Sequence, residues 1–165
     1  MERLLPIANR IALLLRARSE TISVAESSAG GLISAALLAV PGASAYFVGG
    51  GVVYTRRALV ALTQVSEATL SDVKPGTEAA ALARARLMRE HLSTTWGLSE
   101  SGVAGPTGSR YGFPPGHTAV AVSGPHDAAK IVNTASDDRL GNMWAFASAS
   151  LELLEQALTD THVTR

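Results

Sequence analysis

The sequence predicts an α/β fold: a single-domain layered sandwich, with a mixed, mostly parallel sheet and helices on both of its faces. Three observations carry that expectation. Segments of helical period alternate with short β-branched runs along the whole chain. Two late runs lie close enough in sequence to pair as a hairpin, which makes the sheet mixed. The 165 residues contain no repeat, linker or low-complexity stretch and are 47% hydrophobic, enough for one domain, 1–165, with a sizeable core.

The first helix is expected from about Leu5 to Arg18, because Leu4, Ala8, Ile11, Ala12 and Leu15 recur at three- and four-residue spacing. Thr21 to Ala25 is β-branched and alternating, a short strand that stops at Glu26-Ser27-Ser28-Ala29-Gly30-Gly31. A helix follows directly, from Leu32 to about Ala39, and Pro41-Gly42 ends it. The run Tyr46 to Tyr54 is a second strand. Gly49-Gly50-Gly51 inside it signals a bulge or the close approach of another backbone. Short helical segments are expected around Arg57 to Leu62 and Glu67 to Val73. A long Ala- and Arg-rich helix then reaches about Leu92, with Thr77 as its N-cap. A third strand covers Leu98 to Val103 and feeds a Gly- and Pro-rich loop, Ala104 to Gly116. Thr118 to Ser123 and Ala129 to Ala135 form the hairpin, and the last helix runs from Arg139 to about Ala157.

Composition narrows the functional classes. Fourteen basic residues balance 14 acidic ones, so no general electrostatic case exists for nucleic acid or an anionic membrane. The absence of cysteine excludes disulfides, thiolate metal sites and a cysteine nucleophile. The only lysines are Lys74 and Lys130. The longest apolar stretch, Gly30 to Val40, is too short to span a bilayer. The N-terminal apolar run is broken by Asn9 and Arg10 and reads as a helix rather than a signal peptide. A cytoplasmic protein is expected.

Two segments are candidates for chemistry. At Glu26 to Gly31 a strand passes through a small-residue turn into a helix. Such a turn projects a side chain at the carboxyl end of a sheet, where ligands bind in α/β folds. Its unpaired helix-start amides can hold an anion or serve as oxyanion donors for a serine nucleophile. It equally reads as a capped helix packed tightly by glycines. The phosphate-loop reading fails, since no Gly-Lys-Ser/Thr follows. The second segment, Gly102 to Ser109, offers accessible amides and the hydroxyls of Thr107 and Ser109, with Tyr111 to Gly116 as an aromatic wall; it equally reads as a surface connection. His117, at the strand entry, is a general-base candidate or a hydrogen-bonded strand end. His91, His126 and His162 read as solvated, and no spacing suggests a metal site. Arg56-Arg57 either start a helix in solvent or face the Ser27 cleft. Arg84, Arg86 and Arg89 read as the wet face of the long helix. Arg139, after Asp138, reaches a phosphate or forms a surface ion pair.

The order of these motifs resembles one known family, the CinA C-terminal domains, which are nicotinamide-nucleotide amidohydrolases. The resemblance covers about Leu4 to Leu158. It rests on Ala25-Glu26-Ser27-Ser28-Ala29-Gly30-Gly31, Pro41-Gly42-Ala43-Ser44-Ala45-Tyr46-Phe47, and Gly50 with Tyr54. It continues through Ser101-Gly102-Val103-Ala104-Gly105-Pro106-Thr107-Gly108, Pro114-Pro115-Gly116 and Asp138-Arg139. It implies hydrolysis of the carboxamide of nicotinamide mononucleotide to nicotinate mononucleotide and ammonia, with neither metal nor cofactor. By resemblance Ser27 is the nucleophile, supported by Ser44 and Tyr54. Glu26, Ser28, Gly30, Gly31, Gly105, Thr107 and Arg139 form the substrate-binding set. The implied partner is a small-molecule nucleotide, not nucleic acid or a membrane. The Ala-rich helical surface suits the homo-oligomer we expect.

The chain departs from the family pattern at one chemically decisive place. The family's lysine base lies five residues after the tyrosine, and that position is Leu59 here. Leucine takes no proton, and Arg56 and Arg57 stay charged. Lys74 or Lys130 would have to reach the cleft from elsewhere. Ala29 replaces a hydroxyl residue of the family, and Met143 a basic one. The alternative is therefore a catalytically degenerate member that binds a nucleotide or a protein partner.

Overall fold

The computed structural model describes residues 1–66 and 74–160. The elements are α1 (Leu5–Ala17), β1 (Ile22–Glu26), α2 (Leu32–Leu38), a 3₁₀ turn (Ala43–Ala45), β2 (Phe47–Val52), α3 (Arg56–Thr63), α4 (Glu78–His91), β3 (Trp96–Val103), β4 (His117–Ser123), β5 (Ala128–Asn133) and α5 (Arg139–Asp160). The helix expected at Glu67 to Val73 lies outside the described residues.

One five-stranded sheet runs in the order β2-β1-β3-β4-β5. β1 pairs in parallel with β2 and β3, and β4 pairs antiparallel with β3 and β5. Every strand except β4 therefore points the same way, as the mixed, mostly parallel sheet requires. The three-glycine signal in β2 corresponds to a real irregularity. Ile22 pairs with Phe47 and Ser23 with Gly49, so Val48 is the extra residue of a bulge.

Helices cover both faces, and the alternation of β3 decides what each face meets. Trp96 and Leu98, with Val120 and Val122 of β4, pack into the main core against α1, α2 and α5. Gly97, Ser99 and Ser101 point to the other face. There the Ser99 hydroxyl donates to the Ala81 carbonyl of α4, and Ala81 and Ala85 pack on Ala119 and Ala121. Alanine against alanine brings α4 unusually close to the sheet. α4 starts as its sequence predicts, with the Thr77 hydroxyl accepting from the Ala80 amide. Helix α5 runs a turn beyond the expected end at Ala157. No helix among the described residues is long and apolar enough to cross a membrane.

Candidate functional site

Because β1, β2 and β3 are parallel, their carboxyl ends deliver Ser27, Val53-Tyr54 and the Ala104 loop to the same end of the sheet. A cavity of about 620 Å³ opens there on the α3/α4 side. That volume suits a nucleotide-sized ligand. Ser27, Tyr54, Leu59, Arg84, Ser101 and Tyr111 are among its walls. Ser27 is 6% exposed, its backbone amide is bonded, and among the described residues no hydrogen bond engages its hydroxyl.

The turn behind Ser27 is built on two fully buried carboxylates. Glu26 turns back under α2, where its Oε2 accepts from the amides of Gly31 and Ile33 and its Oε1 from the Ser34 amide and hydroxyl. It supplies internally the anion that a helix start attracts. Glu100 of β3 takes the other donors. Its Oε2 accepts from the amides of Ser27 (3.1 Å) and Ala29 (2.8 Å), and its Oε1 from the hydroxyls of Ser28 and Thr118. Burial pushes the Glu100 carboxyl above its ordinary value, and these four hydrogen bonds pull it part of the way back.

This arrangement removes four amides from the set of oxyanion donors expected of the turn. The amides of Ser27, Ala29, Gly31 and Ile33 all point into protein carboxylates. Glu26 and Ser28 brace the turn and are not among the residues lining the cavity. Gly30 and Gly31 are where the turn demands glycine, with φ of 67° and 100°. A Cβ on Gly30 would also come within 2.8 Å of Met143.

The remaining expected residues divide. Tyr54 is at the cavity mouth, where Arg139 donates to its hydroxyl at 3.4 Å and to the Gly105 carbonyl at 2.7 Å. Arg139 thus clasps the loop Gly105 to the end of β2. Thr107 is exposed and stands apart from the cavity lining. Ser44 is exposed on the 3₁₀ turn, before β2 begins, and so lies at the opposite end of the sheet from Ser27. Within one chain the two serines do not meet.

Leu59 is 2% exposed, lines the cavity and packs with Ala25, Val53 and Met88. Lys74, by contrast, reaches the same cavity, with its amine over the Phe113 ring at 4.7 Å. His117 is not poised as a base toward Ser27. Its Nε2 is bonded to the Gly76 carbonyl (2.7 Å), its Nδ1 to the Asn133 Oδ1 (3.0 Å), and its ring stacks on Phe113. Of the histidines expected in solvent, His126 instead packs edge-on against Trp96, and His162 lies outside the described residues.

Three residues that build the site were not singled out for it from the sequence. Glu100 had a signal, a carboxylate inside an otherwise buried strand. Arg84 had none, because its helix carries Arg86 and Arg89 as well. Asn142 is 1% exposed and donates to the carbonyls of Ala104 and Ser136, pinning the loop to α5. It gave no signal in the sequence.

Comparison with known proteins places this geometry. The family model "CinA C-terminal domain" matches residues 4–158. A "CinA-like protein" of Cyanothece sp. is 41% identical over 119 residues, 72% of this chain and 28% of that protein. One from Prochlorococcus marinus is 38% identical over 149 residues, 89% of this chain and 35% of that protein. The chain thus spans about a third of the length of these relatives. Among solved structures, the competence/damage inducible protein CihA from Agrobacterium tumefaciens superposes with a TM-score of 0.85 at 26% identity, covering 94% of this chain and 95% of that one. A CinA superfamily protein from Klebsiella pneumoniae gives a TM-score of 0.87 at 23% identity over 95% and 98%, a likeness of fold.

Proposed function

Because the chain belongs to the CinA C-terminal domain family, we propose that its Ser27 cavity binds a pyridine nucleotide of the nicotinamide mononucleotide type and hydrolyses its carboxamide at no more than a residual rate. The observation that carries this reading is Leu59. It occupies the family's base position, on the cavity wall, and packs in an apolar cluster. Without a base the serine hydroxyl stays protonated, and loss of such a partner costs on the order of 10⁴ to 10⁶ in rate. The amides of Ser27, Ala29, Gly31 and Ile33 are committed to Glu100 and Glu26 and stabilise no developing oxyanion.

The test is ammonia release from nicotinamide mononucleotide, followed beside thermal stabilisation by the same compound. We expect stabilisation, with ammonia no higher than in Ser27→Ala. Leu59→Lys should raise ammonia release in a Ser27-dependent manner, since burial among Ala25, Val53 and Met88 lowers a lysine pKa toward neutrality. Ser27-dependent release by the unaltered chain as fast as that of Leu59→Lys would overturn the residual-rate reading. A second reading, full hydrolysis, has one observation in its favour: Lys74 borders the same cavity as Ser27. Lys74→Met would then abolish the activity. The proposal includes a homo-oligomer, because β2 is an open sheet edge with exposed Val48 and Val52.

A further inference from the structure

The cavity is charged in a way that the whole chain is not. Arg56, Lys74, Arg84 and Arg110 line it, and among the described residues no aspartate or glutamate does. The full sequence holds 14 residues of each sign. Arg56, Lys74 and Arg110 are exposed. Arg84 is not. It leaves α4 between the buried Ala81 and Ala85. Its Nη1 is shut off from solvent with no hydrogen-bond partner, and among the described residues no ion pair engages the guanidinium. Burial pushes its pKa down, against the pull of Glu100 and Tyr111.

An internal anion for Arg84 is missing for a geometric reason. Ser99 and Ser101 face α4, so Glu100 between them faces the opposite side of the sheet. There its oxygens are taken by Ser27, Ser28, Ala29 and Thr118. A guanidinium with one nitrogen shut off from solvent and unpaired is costly for a fold to hold. Its planar fork of donors matches phosphate and carboxylate oxygens. The hydroxyls of Ser101 and Ser109 line the same cavity and can complete such a shell.

We propose that Arg84 is the anion-holding residue of this cavity, seating a phosphate or carboxylate of the bound small molecule. The inference rests on the reading that this cavity is the ligand site, and it adds a specificity residue to it. Three exposed cations around the opening draw the anion in, and Arg84 holds it.

The test uses the full chain at constant ionic strength. Thermal shift and calorimetry are run with inorganic phosphate, acetate, nicotinamide mononucleotide and nicotinamide riboside, the last lacking only the phosphate. We expect phosphate to stabilise the chain and the mononucleotide to bind at least tenfold more tightly than the riboside. In Arg84→Met both effects should vanish, while the ligand-free Tm stays level or rises because an unpaired charge has gone. Arg84→Lys should recover part of the affinity. Stabilisation by acetate that equals that by phosphate would assign the seat to a carboxylate. Unchanged phosphate affinity in Arg84→Met would overturn the proposal, as would a lower Tm with no loss of affinity. So would a wild-type chain indifferent to every anion. If the mononucleotide fails to bind while phosphate still stabilises the wild type and not Arg84→Met, the nucleotide reading falls and the anion seat stands.

Discussion

Glu100 holds the turn that presents Ser27, and it does so as a carboxyl that burial makes reluctant to ionise. Its folded-state pKa is raised above the ordinary value of 4.5. The stability linked to it is fully present below about pH 4.5 and is lost as the pH rises through the raised folded value. Glutamine can take its place. Its oxygen accepts from the Ser27 and Ala29 amides, and its NH₂ donates to the Ser28 and Thr118 hydroxyls once these rotate. Glu100→Gln should therefore fold. Its stability relative to the wild type should climb from pH 4.5 toward neutrality, as urea titrations across that range would show. A difference that is flat or falls would refute the assignment. Glu100→Ala leaves four buried donors unpaired and should cost about 3 kcal/mol or more.

The elements show where sequence reasoning reaches and where it stops. Periodicity, caps and turn residues are local, so α1, α2, α4 and the β4–β5 hairpin were legible to within a residue or two, as was the Thr77 cap. The spacing between layers is non-local, and Gly97 carries it. A Cβ there would lie 2.1 Å from the Ala85 carbonyl oxygen and 2.8 Å from the Arg89 Cβ. Gly97→Ala must push α4 off the sheet and should cost about 3 kcal/mol in chemical denaturation. Gly51 is the contrast. Its added Cβ would meet nothing closer than Leu62 at 3.6 Å, and its φ is not positive. Gly51→Ala should be neutral or stabilising by up to about 1 kcal/mol. Equal losses at both positions would refute the close-approach argument. The site follows the same division. Ser27 and its glycines were visible as a motif, and Tyr54 and Arg139 as counterparts of family positions. The partners of the turn amides were not, because Glu100 lies 73 residues from Ser27 along the chain. For the same reason Arg84 looked like its solvated neighbours: nothing local says which arginine of a helix faces a cavity.

On the scale of the molecule, the sheet among the described residues has two edge strands, β2 and β5, of which β5 carries Lys130. β2 ends the sheet, and its Val48 and Val52 are 52% and 44% exposed. Val52 lies on the face that meets α2, since a Cβ on Gly50 would touch Ser34 and one on Gly31 would come within 3.7 Å of Val52. Monomers blunt such an edge with Lys, Pro or a bulge, and β2 has only the bulge. The homo-oligomer proposed above would place a second copy there. Two identical edges related by a twofold axis pair antiparallel. That pairing carries the amino end of one β2 to the carboxyl end of the other. In that proposed dimer Ser44, remote from Ser27 within its own chain, would approach the carboxyl end of the other copy's β2, which Tyr54 follows. We expect the chain to sediment as a dimer at micromolar concentration and Val48→Lys to sediment as a monomer. Val48 is exposed and supports no core, so the variant should keep its fold by circular dichroism. It should also lose part of its stabilisation by nicotinamide mononucleotide, and Ser44→Ala should reproduce that loss without dissociating the dimer. A wild-type chain that sediments as a monomer throughout would exclude this assembly. A Ser44→Ala dimer with undiminished ligand response would exclude the shared site, because an exposed serine that acts across the twofold axis has no other route to the cavity.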